Sequence, residues 1–239
     1  MNLAKKILII IPAYNEANAV GKVINKTWQI LPFADILVVN DGSIDATSEI
    51  SRQEGAMVLD LPYNLGIGGA MQTGYKFAYR RGYDLAVQCD GDGQHHPSQI
   101  KSLIDTLIND NVDVVIGSRY LGTRKFRSSI ARRAGMFVFS KVISLIVRQR
   151  LTDTTSGFRA VNRPVIESFS HYYPCDYPEP EAIVLLHREG FSIKEIAVSM
   201  SSRKNGDSSI TISKSVYYML KVLIAIFIDL CKEIPYRKS

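Results

Sequence analysis

Short apolar runs alternate with amphipathic stretches through the first 117 residues of the chain. Ile7–Ile11, Ile36–Val39, Met57–Leu59, Leu85–Gln88 and Val112–Ile116 read as strands. Ala17–Leu31, Asp45–Glu54, Gly68–Arg81 and Pro97–Asn109 read as the helices between them. Continuously apolar strands separated by helices predict an α/β fold whose mostly parallel sheet is covered on both faces. Ligands of such sheets bind at the carboxyl ends of the strands. Three polar loops begin at those ends: Pro12-Ala13-Tyr14-Asn15-Glu16, Asn40-Asp41-Gly42-Ser43 and Asp90-Gly91-Asp92.

Beyond residue 117 the pattern changes. A basic loop at 119–129 leads into a long apolar helix near 130–148, and a polar loop follows at Asp153–Arg159. A helix over Glu179–Glu189, a strand near Ile193–Ile196, a loop at Arg203–Ser209 and a last helix near Ser213–Lys232 complete the reading. That last helix is apolar over Val216–Ile228 but is interrupted by Lys221 and closed by Asp229. A membrane span needs about 20 predominantly apolar residues. The helix is therefore expected to lie in a membrane interface or to dock on a membrane partner, with ordinary core packing as the alternative.

Composition narrows the picture. The chain has 239 residues, 46% of them hydrophobic, which suits one large packed domain with a small appendage. The net charge of +6 is gathered at Arg119–Arg133, Arg203-Lys204 and Arg237-Lys238, so anionic partners are expected. Nucleic acid is not among them, because no basic stripe is interleaved with aromatic residues. Three cysteines, Cys89, Cys175 and Cys231, are odd in number and widely spaced, which fits a reducing compartment without disulfides. The run Ile7–Ile11 before Pro12 is too short for the apolar region of a signal peptide.

The candidate chemistry centres on Asp90-Gly91-Asp92-Gly93-Gln94-His95, directly after an apolar strand. Adjacent carboxylates resist burial and raise each other's pKa unless a cation lies between them. Oxygen ligands of this kind suit Mg²⁺ or Mn²⁺, which bridge protein carboxylates to substrate phosphates. The alternative is a polar turn that caps the next helix through Ser98. Gly66-Ile67-Gly68-Gly69-Ala70 is not a dinucleotide fingerprint, since the third glycine would fall on Met71.

Seven motifs in order resemble glycosyltransferase family 2, in the branch of dolichyl-phosphate mannose synthase and the bacterial polyprenyl-phosphate glycosyltransferases. They are Ile11–Glu16; Val39–Ser43 with Asp45 and Thr47; Asn64-Leu65-Gly66 through Gly74; Asp90–His95; Gly117-Ser118-Arg119; Thr155–Arg159; and Arg203 with Gly206 and Ser208. The resemblance implies a GT-A fold over 1–210, with a nucleotide-binding half at 1–117 and an acceptor half at 118–210. Residues 211–239 would form a C-terminal amphipathic helix for the membrane interface or partner docking. It also implies a nucleotide-sugar pocket of Pro12, Tyr14, Asn15, Glu16, Val39, Asp41, Asp90, Gly91, Asp92 and Arg203. Asp90, Asp92 and Gln94 would hold the divalent ion. Arg119, Arg132 or Arg133, and Ser156 would bind an acceptor phosphate, with Asp92, Arg119 and Arg132 carrying catalysis. Gly91 stands where alanine is more usual, and Asn40 where many members have a second aspartate.

The implied activity is inverting, metal-dependent transfer of a sugar from a nucleotide-sugar to polyprenyl phosphate. The implied location is cytoplasmic and peripheral on the inner face of the cell membrane, with a small membrane protein as a possible further subunit. Two alternatives stay open. One is extension of a cell-surface polysaccharide on a sugar hydroxyl, which needs a base from Asp176, Glu179 or Glu181. The other is a non-catalytic nucleotide-sugar-binding subunit of a membrane assembly.

Overall fold

The computed structural model describes residues 5–121, 130–200 and 212–231, the side chains of 130–136, 212–220 and 229 excepted. Its first half runs β1 (Ile7–Ala13), α1 (Val20–Ile30), β2 (Asp35–Asn40), α2 (Thr47–Gln53), β3 (Met57–Asp60), α3 (Gly66–Arg80), β4 (Leu85–Gln88), α4 (Ile100–Asn109) and β5 (Val114–Ser118). The second half runs α5 (Ile130–Ile146), β6 (Arg159–Asn162), α6 (Arg163–His171), α7 (Pro178–Arg188), β7 (Ile193–Ala197) and α8 (Ile212–Cys231). One seven-stranded sheet has the order β3-β2-β1-β4-β6-β5-β7. Every pairing is parallel except those of β6, which runs against both β4 and β5.

Burial on both faces explains the unbroken apolar strands. All seven residues of β1 are buried. Leu8 and Ile10 point to the layer formed by α3, α6 and α7, joined by α5 and α8. Ile7, Ile9 and Ile11 point to the opposite layer of α1 and α4. The alternation of a pleated strand thus divides the interior into two cores.

The expected strands and helices are present, with shifted ends. The first helix starts at Val20 rather than Ala17, because the backbone N–H of Glu16 donates to Thr47 Oγ1 and that of Ala17 to Asp45 Oδ2. A 3-10 turn at Pro97–Gln99 precedes α4. Two elements were not expected: β6 and α6. β6 is four residues long and opens on an arginine, so its apolar signal is slight. α6 did carry a signal, since Asn162 caps it by accepting from the Val165 N–H and Pro164 sits in its first turn.

The reversed β6 matters for the site. The loops that follow β1, β2, β4 and β5 all leave at one edge of the sheet. Because β6 is antiparallel, the loop that precedes it arrives at that same edge. Residues 153–158 are thereby brought beside Asp90.

Candidate active site

The loops after β1 and β2 are locked together at this edge. The Asn15 N–H donates to Ser43 Oγ (2.9 Å), and Asn15 Oδ1 accepts from the Ile44 N–H (3.0 Å). Asn15 adopts a left-handed backbone, φ 55°, which asparagine tolerates. Gly42 is also left-handed, and a Cβ there would strike the backbone of Tyr63 and Asn64. Asp41 is buried; its N–H donates to the Ala13 carbonyl, and its Oδ1 accepts from the Leu65 N–H at 2.7 Å. Asp41 Oδ2 takes no hydrogen bond among the described residues, which leaves an acceptor for a base N–H or a ribose hydroxyl. Tyr14 and Asn15 are exposed beside it and Glu16 is half-buried. Pro12 and Val39 lie inside their strands. The Val39 side chain belongs to the core, so only its backbone can face a nucleoside. Asn40 spends its amide on Asp60 and its carbonyl on the Ser43 N–H, which accounts for it without a metal.

Asp90 and Asp92 stand where β4 ends. The Asp90 carboxylate is lightly engaged: Gln88 Nε2 donates to Oδ1 at 3.3 Å, and His95 Nε2 lies 3.6 Å from Oδ2. His95 Nδ1 accepts from the Asp90 N–H at 3.0 Å, so its ring proton sits on Nε2. His95 is stacked on Phe158 and buried, a loop-fixing residue rather than an ion ligand. Asp92 accepts from both the backbone N–H and the side-chain amide of Gln94. Gly91 lies against β1, where a Cβ would come within 3.2 Å of the Pro12 carbonyl. No group of three or more His, Cys, Asp or Glu side chains suited to an ion occurs among the described residues. A pair of carboxylates, one of them lightly engaged, fits a hard divalent ion that keeps water and phosphate ligands. Asp90, Asp92 and the Gln94 carbonyl are the groups that would hold it.

Arg119 lies within electrostatic reach of Asp90. Its Nε and Nη2 each donate to Asp153 at 2.7 Å, its backbone N–H donates to the same carboxylate, and Nη2 also reaches Thr155 Oγ1. Asp153 is fully buried and the Arg119 side chain is 18% exposed. Glu195 on β7 fixes this loop in turn by accepting from the N–H groups of Thr152 and Asp153. Burial pushes the Glu195 carboxyl above its ordinary range, against the pull of those donors. Ser156 faces inward, with its hydroxyl donated to the Gly117 carbonyl. The side chains of Arg132 and Arg133, at the start of α5, and all of Arg203 lie outside the described residues.

Of the three candidate bases, Glu179 faces the site. Burial raises its carboxyl, while Arg159 and Arg119 pull it back. Asp176 is exposed, and Glu181 is buried within α7. Gln88 and Glu195 were missed by sequence reasoning. The signal at Gln88 was a polar residue closing an apolar strand two residues before Asp90.

This is the architecture of a sugar-transferring GT-A enzyme: a mostly parallel sheet with an acidic pair at the end of a central strand. The model for glycosyl transferase family 2 matches residues 8–169, and the chain belongs to that family. It is similar to the polyprenol monophosphomannose synthase of Mycolicibacterium smegmatis, at 30% identity over 91% of this chain and 86% of that one. It is also similar to the UDP-N-acetylglucosamine–dolichyl-phosphate N-acetylglucosaminyltransferase of Methanococcus voltae, at 30% identity over 81% of this chain and 85% of that one. Among solved structures, glucosyl-3-phosphoglycerate synthase of Mycobacterium tuberculosis with Mn²⁺, UDP and phosphoglyceric acid superposes with a TM-score of 0.73. At 18% identity, over 99% of this chain and 81% of that one, the likeness is one of fold.

Proposed function

We propose that the protein transfers a sugar from a nucleotide-sugar to a polyprenyl phosphate, with inversion at the anomeric carbon. The observation that carries this reading is the pairing of two opposed sites at one sheet edge. The lightly engaged Asp90 with Asp92 suits a cation–diphosphate, and Arg119, braced by Asp153, suits an anion. Curated relatives that match most of the chain bear the names of polyprenyl- and dolichyl-phosphate sugar transferases.

In this mechanism Asp41 and the Tyr14–Glu16 loop orient the nucleoside, and Arg203 contacts the diphosphate. Mg²⁺ or Mn²⁺ on Asp90, Asp92 and Gln94 would act as a Lewis acid toward the departing diphosphate. Arg119, with Arg132 or Arg133, holds the acceptor phosphate, its oxygen aimed at the anomeric carbon. That oxygen forms the new C1–O bond as the bond to the nucleotide diphosphate breaks, and the diphosphate leaves with the electron pair. A phosphate second pKa of about 6 leaves the nucleophile already deprotonated, so no general base is required. Positioning and charge neutralisation carry the rate. Glu179 is then a site carboxylate without a proton to remove.

A lipid acceptor must be met at its own surface. α8 packs against α5 and α7, burying Val222 and Ile226. The outer faces of α5 and α8 present Phe137, Val138, Leu145, Ile224, Phe227 and Ile228, each more than half exposed. Lys141, Arg148 and Arg150 are exposed on and just beyond α5. No helix among the described residues is long and apolar enough to cross a membrane. Apolar residues rimmed by cations suit peripheral attachment to an anionic membrane surface, of which the cytoplasmic leaflet is the type case. The C-terminal segment 211–239 is in this reading an attachment element beside the transferase body. A small membrane subunit covering the same face is the competing occupant.

The test is transfer of radiolabel from a panel of nucleotide-sugars into the organic phase, with undecaprenyl phosphate and with a saccharide as competing acceptors. The reading predicts label in the lipid. Label only in the saccharide would favour polysaccharide extension, for which Glu179 is the candidate base. No turnover with any pair would favour a non-catalytic subunit.

A further inference from the structure

Arg159 opens β6 in the middle of the sheet, its Cα paired with Gln88 on β4 and with Ile116 on β5. It is fully buried and is among the largest fully buried side chains. Its Nη2 donates to the Ser156 carbonyl at 2.9 Å, while Nε and Nη1 have no partner among the described residues. Gln88 Oε1 and Tyr75 Oη are likewise buried without partners. A guanidinium keeps its charge at every accessible pH. The aromatic hydroxyls around it supply no counter-charge: burial pushes Tyr173 up to about 12 and Tyr75 higher still, so both are neutral. The carboxylates in reach are the half-buried Glu179 and, beyond Gln88, Asp90. Gly157 closes the gap, since a Cβ there would collide with Gln88 Nε2 and lie 3.5 Å from Asp90 Oδ1.

A desolvated cation with incomplete hydrogen bonding costs stability, and an apolar side chain of similar length often serves packing as well or better. Retaining the charge makes sense where its field is used. In a dry interior that field reaches the adjoining ions with little screening. We propose that Arg159 is the buried positive charge of the donor site. Standing one side chain behind Asp90, it favours a nucleotide diphosphate and disfavours a bare divalent cation. The site would then load the ion together with the nucleotide-sugar rather than ahead of it. Arg159 is in this sense a positioning residue, acting on the ions of the site through space. The inference rests on the donor-site reading above.

The test compares wild type with Arg159→Met and Arg159→Lys in the full chain. Mn²⁺ alone is titrated by electron paramagnetic resonance, and UDP and GDP are each titrated calorimetrically in EDTA. The expected result is opposite movement in Arg159→Met: tighter Mn²⁺ and weaker nucleotide diphosphate, each by several-fold to roughly tenfold. Arg159→Lys should stay near wild type. If Arg159→Met does not fold, Arg159→Gln carries the same prediction. Affinities that fall together, affinities that do not move, or failure of both neutral variants to fold would assign Arg159 to structure alone and overturn the inference. Wild type that binds neither Mn²⁺ nor either nucleotide would instead remove the donor site itself.

Discussion

Arg119 and Asp153 form the most tightly drawn contact of the proposed acceptor side, and removing either should be costly. Asp153 is fully buried and accepts three hydrogen bonds from Arg119, two from the guanidinium at 2.7 Å and one from the backbone at 2.9 Å. Arg119→Met leaves a buried carboxylate without its cation, and Asp153→Leu leaves a mostly buried guanidinium without its anion. Breaking such a pair from one side costs about 3–5 kcal/mol. Against a total stability of about 5–15 kcal/mol, that is a large share. For a domain of this size it corresponds to a loss of roughly 6–20 °C in melting temperature. The double variant Arg119→Met/Asp153→Leu leaves neither member of the pair as a lone buried charge and should lie within about 2 kcal/mol of wild type. Urea unfolding of the four proteins gives the coupling directly. Single variants within about 1 kcal/mol of wild type, or a double variant equal to the sum of the singles, would refute the claim that the pair is buried and mutually dependent. Transfer activity separates the roles further. Every variant lacking Arg119 should lose acceptor-dependent turnover even where stability returns.

Glu179 is raised in the folded state above the ordinary glutamate value of 4.5. Its contribution to stability is therefore complete below that pH and is lost as pH rises through the folded value. Glu179→Gln should flatten stability against pH in this window, apart from the share of Glu195, which is raised likewise; an unchanged slope would count against its burial. Asp45 and Asp60 are lowered and act below 3.8, outside the window. Gly68 sits where α3 meets the 174–175 loop, and a Cβ would collide with the Pro174 carbonyl and the Cys175 backbone. Gly68→Ala should lose about 1–3 kcal/mol in chemical denaturation, and a neutral result would contradict that close approach. Phe137→Asp with Phe227→Asp should lower co-sedimentation with phosphatidylglycerol vesicles at unchanged melting temperature. Undiminished sedimentation would place the membrane contact elsewhere.

The sheet was legible because burial on both faces demands the unbroken apolar runs of β1, β2, β4 and β5. The order of loops was legible because polar clusters follow those runs at once. β6 escaped notice for a physical reason. Four residues that begin with arginine carry no strand signal alone, and their pairing is set by contacts distant in sequence. The same reversal brings Gly157 beside Asp90 and pairs Arg159 with Gln88, so this buried charge was invisible until the topology was known. Asp41 and the Asp90/Asp92 pair stand out as candidates because carboxylates among glycines at strand ends are poorly suited to packing. The inward turn of Ser156, expected among the acceptor-phosphate residues, was not legible, since nothing in its neighbours tells an inward hydroxyl from an outward one. Its bond to the Gly117 carbonyl depends on how two loops meet.

The central claim is that a divalent ion held by Asp90 and Asp92 anchors the diphosphate of an activated sugar. Crystals grown with Mn²⁺ and a nucleotide diphosphate, with data collected at the manganese edge, test it most directly. The account predicts an anomalous peak between these carboxylates and the diphosphate, and its disappearance in Asp92→Ala. A bound nucleotide with no manganese at that place, or with both side chains turned from it, would contradict it.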